Sequence, residues 1–246
     1  MFEQIQKIVR ETQSISLPHY GNVPFTCKDD TSYLTELDVA VEKQLREKLA
    51  LIDPSIGFFG EETGGDRNAE RFWLCDPIDG TNPYVRGFPF CTTMIALVES
   101  GEVTMSFIYD FVMDELYCAK KGEGAFCNGK KISVSDRPVD QSYIFWESHN
   151  KKLAGILLEK YAGLPKFMAA GSELIAVASG KAEARITVDG FGTYYDYAPG
   201  ALLVQEAGGI VRNLGSDRYD YENFDFIAAT PQIIETLEKD VAIAQQ

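Results

Sequence analysis

Histidines and paired cysteines, which often bind soft metals or carry nucleophilic catalysis, are scarce in this sequence of 246 residues. There are only two histidines, His19 and His149, and they lie far apart. None of the five cysteines forms a Cys-x-x-Cys pair, and three of them lie in apolar, strand-like stretches. This distribution predicts reduced thiols in a cytoplasmic protein and argues against a disulfide framework or a zinc site.

Basic residues and long apolar runs are also few. The chain has 23 Lys and Arg against 37 Asp and Glu, which gives a formal net charge of −14 at pH 7. Nucleic acids and anionic membranes attract clustered basic side chains, so we expect direct binding to neither. No apolar stretch approaches the roughly 20 residues that span a bilayer, and the N-terminus lacks the pattern of a secretory signal.

The most informative stretch joins an apolar run, Phe72–Cys75, to the motif Asp-Pro-Ile-Asp-Gly-Thr. The run predicts a short buried strand, which we expect the proline and glycine to break. Asp76 and Asp79 then lie on one tight turn, where two carboxylates repel each other unless a cation lies between them. Mg²⁺ prefers such oxygen ligands, and backbone N–H groups at Gly80 and Thr81 suit an anion. A metal site beside a phosphate site is one interpretation; ordinary turn formation with a helix cap is the other.

Two further acids stand where secondary structure elements begin or end. Asp38 follows Thr35 by three residues at the start of a predicted helix, which indicates a capping box. A role for Asp38 within a catalytic site is the alternative. A short strand, Ile56–Gly60, leads into the paired glutamates Glu61 and Glu62. Paired glutamates in a loop are usually just solvated, but one of these leaves the end of an apolar strand, as Asp76 does. The sequence is therefore compatible with one site at a shared sheet edge.

The remaining pattern predicts a single domain over residues 1–246. Residues 1–140 include the candidate metal site and an antiparallel meander with strands at 91–98, 103–109 and 115–119. Residues 141–246 alternate strands and helices as a smaller α/β half, including a strand over 166–170 and a last helix from Pro231 to Ala244. Mixed layers of helix and sheet are the expected architecture.

Several motifs together resemble the inositol monophosphatase family of metal-dependent, lithium-sensitive phosphatases. The order and spacing hold over almost the whole chain. The strong matches are Gly60-Glu61-Glu62-Thr63, the stretch from Trp73 to Thr81, Asp196-Tyr197-Ala198-Pro199-Gly200, and Glu206-Ala207-Gly208-Gly209. Weaker matches are Thr35-Glu36-Leu37-Asp38 and the stretch from Gly122 to Gly129.

The resemblance implies an α+β fold, a layered α-β-α-β-α sandwich of the sugar-phosphatase type shared with fructose-1,6-bisphosphatase. It also implies a homodimer that uses two to three Mg²⁺ ions per site. The implied metal ligands are Glu61, Asp76, the Ile78 carbonyl, Asp79 and Asp196. Thr81, with Asp38 and Glu61, is implied to orient the attacking water, which reverses our preference for Asp38 as a cap. The implied substrate-binding residues are Asp79, Gly80, Thr81, Ser172 and Asp189.

The implied reaction is hydrolysis of a small phosphate monoester by metal-activated water, with myo-inositol 1-phosphate as the first substrate to consider. Adenosine 3′,5′-bisphosphate, fructose 1,6-bisphosphate and histidinol phosphate are alternatives, as is a regulatory binding protein that keeps the fold. The leaving-group pocket is ambiguous, because counting back from Asp196 selects Asp189 whereas counting forward from Ser172 selects Thr187. Three other departures, Asn82-Pro83-Tyr84, Tyr195 and Pro199, remove no implied metal ligand.

Overall fold

The chain forms two β-sheets that alternate with layers of helices; the computed structural model describes residues 1–27 and 33–246. The helices are α1 (Phe2–Glu11), α2 (Gln13–Ser16), α3 (Glu36–Ile52), α4 (Thr81–Arg86), α5 (Lys151–Lys160), α6 (Ala170–Ala178), α7 (Tyr194–Glu206) and α8 (Ile234–Ala244). The first strands are β1 (Thr26–Cys27), β2 (Tyr33–Leu34), β3 (Gly57–Gly60), β4 (Gly64–Gly65) and β5 (Arg71–Asp79). The meander continues through β6 (Thr92–Glu99), β7 (Glu102–Asp110), β8 (Glu115–Lys120), β9 (Gly124–Cys127) and β10 (Lys130–Lys131). The last strands are β11 (Ile144–Glu147), β12 (Ala184–Thr187), β13 (Ile210–Asn213) and β14 (Phe226–Ala229).

The larger sheet has the strand order β10-β9-β8-β7-β6-β5-β3-β4. Its strands from β5 to β10 are an antiparallel meander, whereas β3 and β5 pair in parallel. The smaller sheet has the order β11-β12-β14-β13, with only β11 and β12 parallel among its described pairs. β1 and β2 pair in an antiparallel way apart from both sheets. The sequence predicts a hairpin or a loop for residues 26–33, and part of this stretch lies outside the described residues.

Alternation along the central strands buries both faces of the larger sheet. In β5, Trp73 and Cys75 belong to the core beneath α1 and α3, whereas Phe72 and Leu74 face the opposite side, where they contact a residue of α7. The facing residues of β6 follow the same rule. Strands covered on both faces read as continuous apolar runs, which is why the sequence at 72–75 shows no polar alternation.

Five layers result from this burial. Helices α1 and α3 cover one face of the larger sheet, and α6 and α7 lie between the two sheets. Helices α5 and α8 cover the outer face of the smaller sheet. The α-β-α-β-α sandwich of α+β class is confirmed. The chain passes from the first sheet to the second between residues 131 and 144, close to the predicted division at residue 140. The assignment of the whole chain to a single domain stays a prediction.

The central strand does not end at its proline, contrary to the expectation from the sequence. β5 continues to Asp79, and its register shifts within the motif: Asp76 pairs with Met94, and Asp79 pairs with Thr92. Three steps along β5 therefore face two steps along β6, which is a bulge. Pro77 lies in this bulge, where the ladder needs no N–H from it, and its carbonyl accepts a hydrogen bond from Thr93 Oγ1 at 2.8 Å.

Two smaller expectations also fail. The strand predicted over residues 166–170 is irregular until α6 begins at Ala170, because its backbone connects two elements and does not join either sheet. The last helix begins at Ile234, not at Pro231. Pro231 therefore lies in the turn before the helix.

Candidate active site

The parallel pairing of β3 with β5 brings two acids to one sheet edge. Gly60 lies opposite Cys75 in the register, and the Glu61 N–H donates to the Cys75 carbonyl at 3.0 Å. Glu61 and Asp76 therefore follow paired positions on neighbouring strands. This is the shared edge that the sequence suggested, and both residues line the same cavity.

A buried glutamate fixes the turn that carries Glu61. Glu42, on α3, accepts hydrogen bonds from the backbone N–H groups of Glu62 and Thr63 at 2.8 and 3.1 Å. A Cβ at Gly60 would lie 2.2 Å from the Glu42 carboxyl carbon, so only glycine permits this approach. Glu42 was not among the residues predicted from the sequence. The feature that could have indicated it is the position of an acid on the apolar stripe of α3.

Three aspartates come together behind this edge. Asp76, Asp79 and Asp196 each offer a carboxylate oxygen, and the three oxygens lie within 4.8 Å of one another. Asp79 reaches the cluster because the bulge adds a residue to β5 after Asp76. Asp196 stands at the third position of α7, where its Oδ2 accepts from the Thr193 N–H at 2.6 Å and from the Thr193 hydroxyl at 3.0 Å. One carboxylate thus caps its helix while its other oxygen remains for the cluster.

Burial raises the pKa of each of these aspartates, and repulsion from neighbouring cluster carboxylates adds to the shifts of Asp76 and Asp79. The pKa of Asp76 lies well above its usual value because the group is buried and Glu61, Asp79 and Asp196 surround it. Burial and Asp196 raise the pKa of Asp79 to about 8, although N–H donors from Gly171 and Ala170 and the Thr92 hydroxyl oppose the shift. Burial raises the pKa of Asp196 to about 6. Three such acids ionise together only when a cation compensates their charge.

The donor set fits a hard divalent cation. Asp79 has three protein donors: the Ala170 and Gly171 N–H groups, both at 2.9 Å, and the Thr92 hydroxyl at 3.2 Å. In contrast, Asp76 Oδ1 is buried without a hydrogen-bond partner among the described residues. A buried, unpaired carboxylate oxygen is costly in a protein interior, and coordination of a cation compensates that cost. Hard cations such as Mg²⁺ take oxygen ligands of this type.

Asp38 and Thr81 meet at the rim of the cluster, where Asp38 forms the predicted cap and also contacts Thr81; its role within a catalytic site stays a prediction. Its Oδ2 accepts from the Thr35 N–H at 2.8 Å and from the Thr35 hydroxyl at 2.6 Å, which is the predicted capping box. Its Oδ1 lies 3.4 Å from Thr81 Oγ1, which also donates to the Ile78 carbonyl at 3.0 Å. One carboxylate therefore starts α3 and contacts the site threonine.

Gly80 makes the turn from β5 into α4. Its φ of 79° lies in the left-handed region, and a Cβ there would stand 2.5 Å from the Phe90 carbonyl oxygen and 2.7 Å from the Ala169 Cβ. α4 begins at Thr81 without a side-chain cap, and the first N–H groups of a helix have no intrahelical acceptor. This turn lies beside the aspartate cluster and suits an anionic group.

The cluster and the turn form one wall of a cavity of about 510 Å³, a size typical of small-molecule sites. The opposite wall comes from the smaller sheet, from α6 with the segment before it, and from the loop between β12 and α7. Its charged and aromatic members are Trp146, Glu147, Lys166, Glu173, Arg185 and Phe191. The residues of this wall were not among those predicted from the sequence. The feature that could have indicated them is a charged residue within an otherwise apolar element, such as Arg185 in β12 or Glu173 in α6.

Two of the predicted substrate-binding residues lie elsewhere. Asp189 is exposed, and its Oδ2 accepts from the Ser148 hydroxyl at 2.8 Å and the His149 N–H at 2.7 Å. These hydrogen bonds lower the pKa of Asp189. The Ser172 Oγ is buried within α6, and the preceding N–H groups of that helix already bind Asp79. Neither residue, nor the alternative Thr187 on β12, lines the cavity.

A model of the inositol monophosphatase family matches residues 3–246. The chain belongs to the inositol monophosphatase family. The resemblance stated from the motifs is thereby confirmed. Together with the aspartate cluster, membership supports phosphatase chemistry that uses a divalent metal.

Relatives within the family carry two kinds of name. Nus factor SuhB from Xylella fastidiosa is 36% identical over 202 residues, which are 75% of this chain and 70% of that protein. Inositol-1-monophosphatase from Rhizobium meliloti is 31% identical over 205 residues, 76% of this chain and 74% of that protein. The crystal structure of the extragenic suppressor protein suhB from Bartonella henselae has a TM-score of 0.89 and 25% identity, and the match covers 98% of this chain and 97% of that one.

No helix in the described part of the chain has the length and apolar character needed to cross a membrane.

The raised pKa values predict how stability depends on pH and Mg²⁺. Asp79 titrates near 3.8 when unfolded and near 8 when folded without metal, so its contribution to folding is present below about pH 4 and is lost as the pH rises toward 8. Asp196 adds the same trend up to about pH 6. We expect Mg²⁺ to raise the melting temperature more at pH 8 than at pH 6, because at pH 8 the metal must displace fewer protons from the aspartates. Melting curves in EDTA and in Mg²⁺ at both pH values measure this; an equal rise at both would contradict it.

Proposed function

We propose that this chain hydrolyses small phosphate monoesters in a divalent-metal-dependent reaction, with myo-inositol 1-phosphate as the most suitable substrate. One observation carries the proposal: the buried Asp76 and Asp79 and the half-buried Asp196 converge within 4.8 Å beside the turn at Gly80, and Asp76 Oδ1 has no hydrogen-bond partner in the described part of the chain. Asp196 caps α7 and Asp79 accepts from the start of α6, but neither role requires three carboxylates to lie so close together, where they repel one another.

The proposed metal ligands are Asp76, Asp79, Asp196, Glu61 and the carbonyl of Ile78. Two to three bound Mg²⁺ ions would neutralise the ester, lower the pKa of a water molecule and stabilise the leaving oxygen. Hydrogen bonds from Thr92, Ala170 and Gly171 hold Asp79 in one orientation, so that this carboxylate needs no reorganisation when metal binds.

The proposed phosphate contacts are the backbone N–H groups at Gly80 and Thr81. They belong to the start of α4, whose position the backbone contacts of Gly80 fix. Donors held in place stabilise charge that develops on a phosphoryl oxygen without moving during the reaction. The proposed role of Thr81, with Asp38 and Glu61, is to orient the attacking water through the hydroxyl that contacts Asp38.

Thr81→Val should lower kcat by about 10²-fold, because valine keeps the shape of threonine but cannot orient a water or donate to the Ile78 carbonyl. Thr81→Ser keeps the hydroxyl and is the matched variant, expected to stay within about tenfold of wild type. Steady-state phosphate release for both variants, with melting temperatures as a control for folding, measures the difference. Equal rates for the two variants would remove the hydroxyl from the proposed mechanism.

A substrate panel tests the function itself. Phosphate release is measured with myo-inositol 1-phosphate, fructose 1,6-bisphosphate, adenosine 3′,5′-bisphosphate and histidinol phosphate, in Mg²⁺ and in EDTA. We expect turnover only in Mg²⁺ and the highest kcat/KM with the inositol ester. A parallel series with millimolar lithium is expected to lower turnover at low Mg²⁺. No Mg²⁺-dependent turnover with any ester would reject the phosphatase proposal.

The oligomeric state and the cellular location complete the proposal. We propose a homodimer in the cytoplasm that acts on a small phosphorylated metabolite. Light scattering after size exclusion measures the first property, and a monomer at micromolar concentration would reject it.

A regulatory role is the second candidate, because a relative at 36% identity is named a Nus factor. The acidic net charge of −14 favours a protein partner over direct nucleic-acid binding. Pull-down from a lysate with wild type and with an Asp79→Asn variant tests this role. Capture of the same transcription component by both proteins would support it, whereas capture of none would leave the phosphatase as the proposed function.

A further inference from the structure

The second wall of the cavity contains an ordered network of four charged side chains. Arg185 lies at its centre on β12, between Glu173 of α6 and Glu147 of β11, and Lys166 stands at the outer rim. Neither the aspartate cluster nor the turn at Gly80 includes any of these residues. Both walls line one cavity, so an ester whose phosphate bound at the first wall would have this network across the cavity from it.

Arg185 is held in a single orientation. The residue is 1% exposed, its Nη1 donates to the Ile186 carbonyl at 2.7 Å, and its Nε lies 2.8 Å from Glu173 Oε2. The guanidinium also lies 5.6 Å from the centre of the Tyr197 ring, next to Asp196. Glu173 is fixed in turn, since its Oε1 accepts from the Phe167 N–H at 3.0 Å. A buried guanidinium with these partners is a rigid support.

Glu147 is the member of the network that this support presents to the cavity. Its Oε2 accepts from Arg185 Nη2 at 3.0 Å, and its Oε1 lies 3.6 Å from the Lys166 Nζ. The Glu147 side chain is 31% exposed, in contrast to the 6% of Glu173. One face of this carboxylate is therefore bound to the protein while the other remains accessible to a ligand.

We propose that Glu147 determines leaving-group specificity by accepting hydrogen bonds from the hydroxyl groups of a polyol, and that Arg185 is the positioning residue that orients it. This inference rests on the proposed phosphatase function and names the substrate class of the same site. It places the specificity contact at Glu147, in the cavity, and not at Asp189, whose carboxylate binds Ser148 and His149.

The charges of the wall favour a neutral polyol over other occupants. A carboxylate repels a second phosphate, and Arg185, the nearest cation, already donates to Ile186 and Glu147 and forms an ion pair with Glu173 at 2.8 Å. A metal ion at Glu147 is disfavoured because Arg185 and Lys166 both lie within 3.6 Å of its oxygens. Hydroxyl donors match a carboxylate held in this way, and hydrogen bonds to a charged acceptor are the stronger kind.

Glu147→Gln tests the contact with two substrates that share the phosphate but differ in the leaving group. For myo-inositol 1-phosphate we expect kcat/KM to fall roughly 10- to 100-fold, mostly through KM, because a charged acceptor is lost. For p-nitrophenyl phosphate, which has no hydroxyl groups on its leaving group, we expect a change of less than about threefold. Glu159→Gln, on the exposed side of α5, is the matched control and should change neither value.

Arg185→Lys separates positioning from simple folding. Lysine keeps the charge but not the planar fork, so we expect kcat/KM for the inositol ester to fall about as much as in Glu147→Gln, again with little change for p-nitrophenyl phosphate. In the double variant the two losses should not add, because Arg185 acts through Glu147. A structural defect alone would lower kcat/KM for both substrates together, and the losses of the two single variants would then add in the double variant.

The outcomes distinguish the inference from the function on which it rests. If wild type hydrolyses neither ester in Mg²⁺, the proposed function fails. If wild type hydrolyses both esters and Glu147→Gln leaves the ratio of their kcat/KM values unchanged, the function stands and the specificity contact is overturned. Asp189→Asn is measured in parallel, and a change of the ratio in that variant alone would return the contact to Asp189.

Discussion

Asp76→Asn should abolish most activity while leaving the metal-free fold at least as stable as wild type. We expect a loss of about 10²- to 10³-fold in turnover for every substrate, because a charged metal ligand becomes neutral at the centre of the cluster. The melting temperature in EDTA should not fall, since Asp76 Oδ1 has no hydrogen-bond partner to lose among residues 1–27 and 33–246, and the substitution removes repulsion from Glu61, Asp79 and Asp196. The rise in melting temperature caused by Mg²⁺ should become smaller.

Asp76 is a better probe than Asp79 for this purpose. The Asp79 carboxylate accepts hydrogen bonds from Ala170, Gly171 and Thr92, so an asparagine there would direct an NH₂ group at N–H donors and disturb the start of α6. A loss of activity in Asp79→Asn would mix metal binding with folding. Asp136→Asn, an exposed position, is the matched control for Asp76→Asn and should change neither activity nor metal response.

Phosphate release and melting curves in EDTA and Mg²⁺ measure the effect. A variant that keeps the turnover and Mg²⁺ response of wild type would show that Asp76 is not a metal ligand. A variant that melts well below wild type in EDTA would show that the carboxylate has a structural partner, and the interpretation of the cluster as a strained metal site would then be wrong.

The layered fold follows from local patterns, and for that reason the sequence predicts most of it. The runs at 72–75 and 92–98 need cover on both faces, which the amphipathic helices before them and the largely buried helices α6 and α7 after them supply. Paired strand ends also explain why Glu61 and Asp76 could be placed at one edge from the sequence. The proline within β5 misled that analysis, because a single strand viewed alone gives no sign of the bulge that accommodates it.

The second wall of the cavity could not be predicted, because it depends on residues that are distant in the sequence. Glu147, Glu173 and Arg185 meet only after β11 and β12 pair in parallel and α6 packs against them. Counting residues from Asp196 pointed to Asp189, which lies seven positions earlier. The chain adopts a φ of 74° at Asp189 and turns it away from the cavity, a conformation that spacing alone does not encode.

Gly80→Ala should cost both activity and stability, because the added methyl group would meet backbone at the turn that begins α4. The φ of 79° disfavours alanine by roughly 1–2 kcal/mol. The Cβ would also stand 2.5 Å from the Phe90 carbonyl oxygen and 2.7 Å from the Ala169 Cβ, neither of which belongs to a flexible side chain. Relief of these contacts must move Thr81 or the segment before α6, which carries the donors to Asp79. A displacement of about 1 Å at a reacting site costs on the order of 10²-fold in rate.

Gly101→Ala separates the cost of the backbone conformation from the cost of the close contacts. Gly101 has a φ of 80° in the turn between β6 and β7, and no heavy atom of the described residues, its two chain neighbours apart, lies within 4 Å of where its Cβ would be. It therefore carries the conformational cost without the contacts, and we expect a loss of about 1 kcal/mol in stability and unchanged turnover. Denaturant unfolding and phosphate release on both variants give the comparison. If Gly80→Ala lost no more activity than Gly101→Ala, the turn at Gly80 would not position the reacting groups, and the proposed phosphate contacts at Gly80 and Thr81 would have to be abandoned.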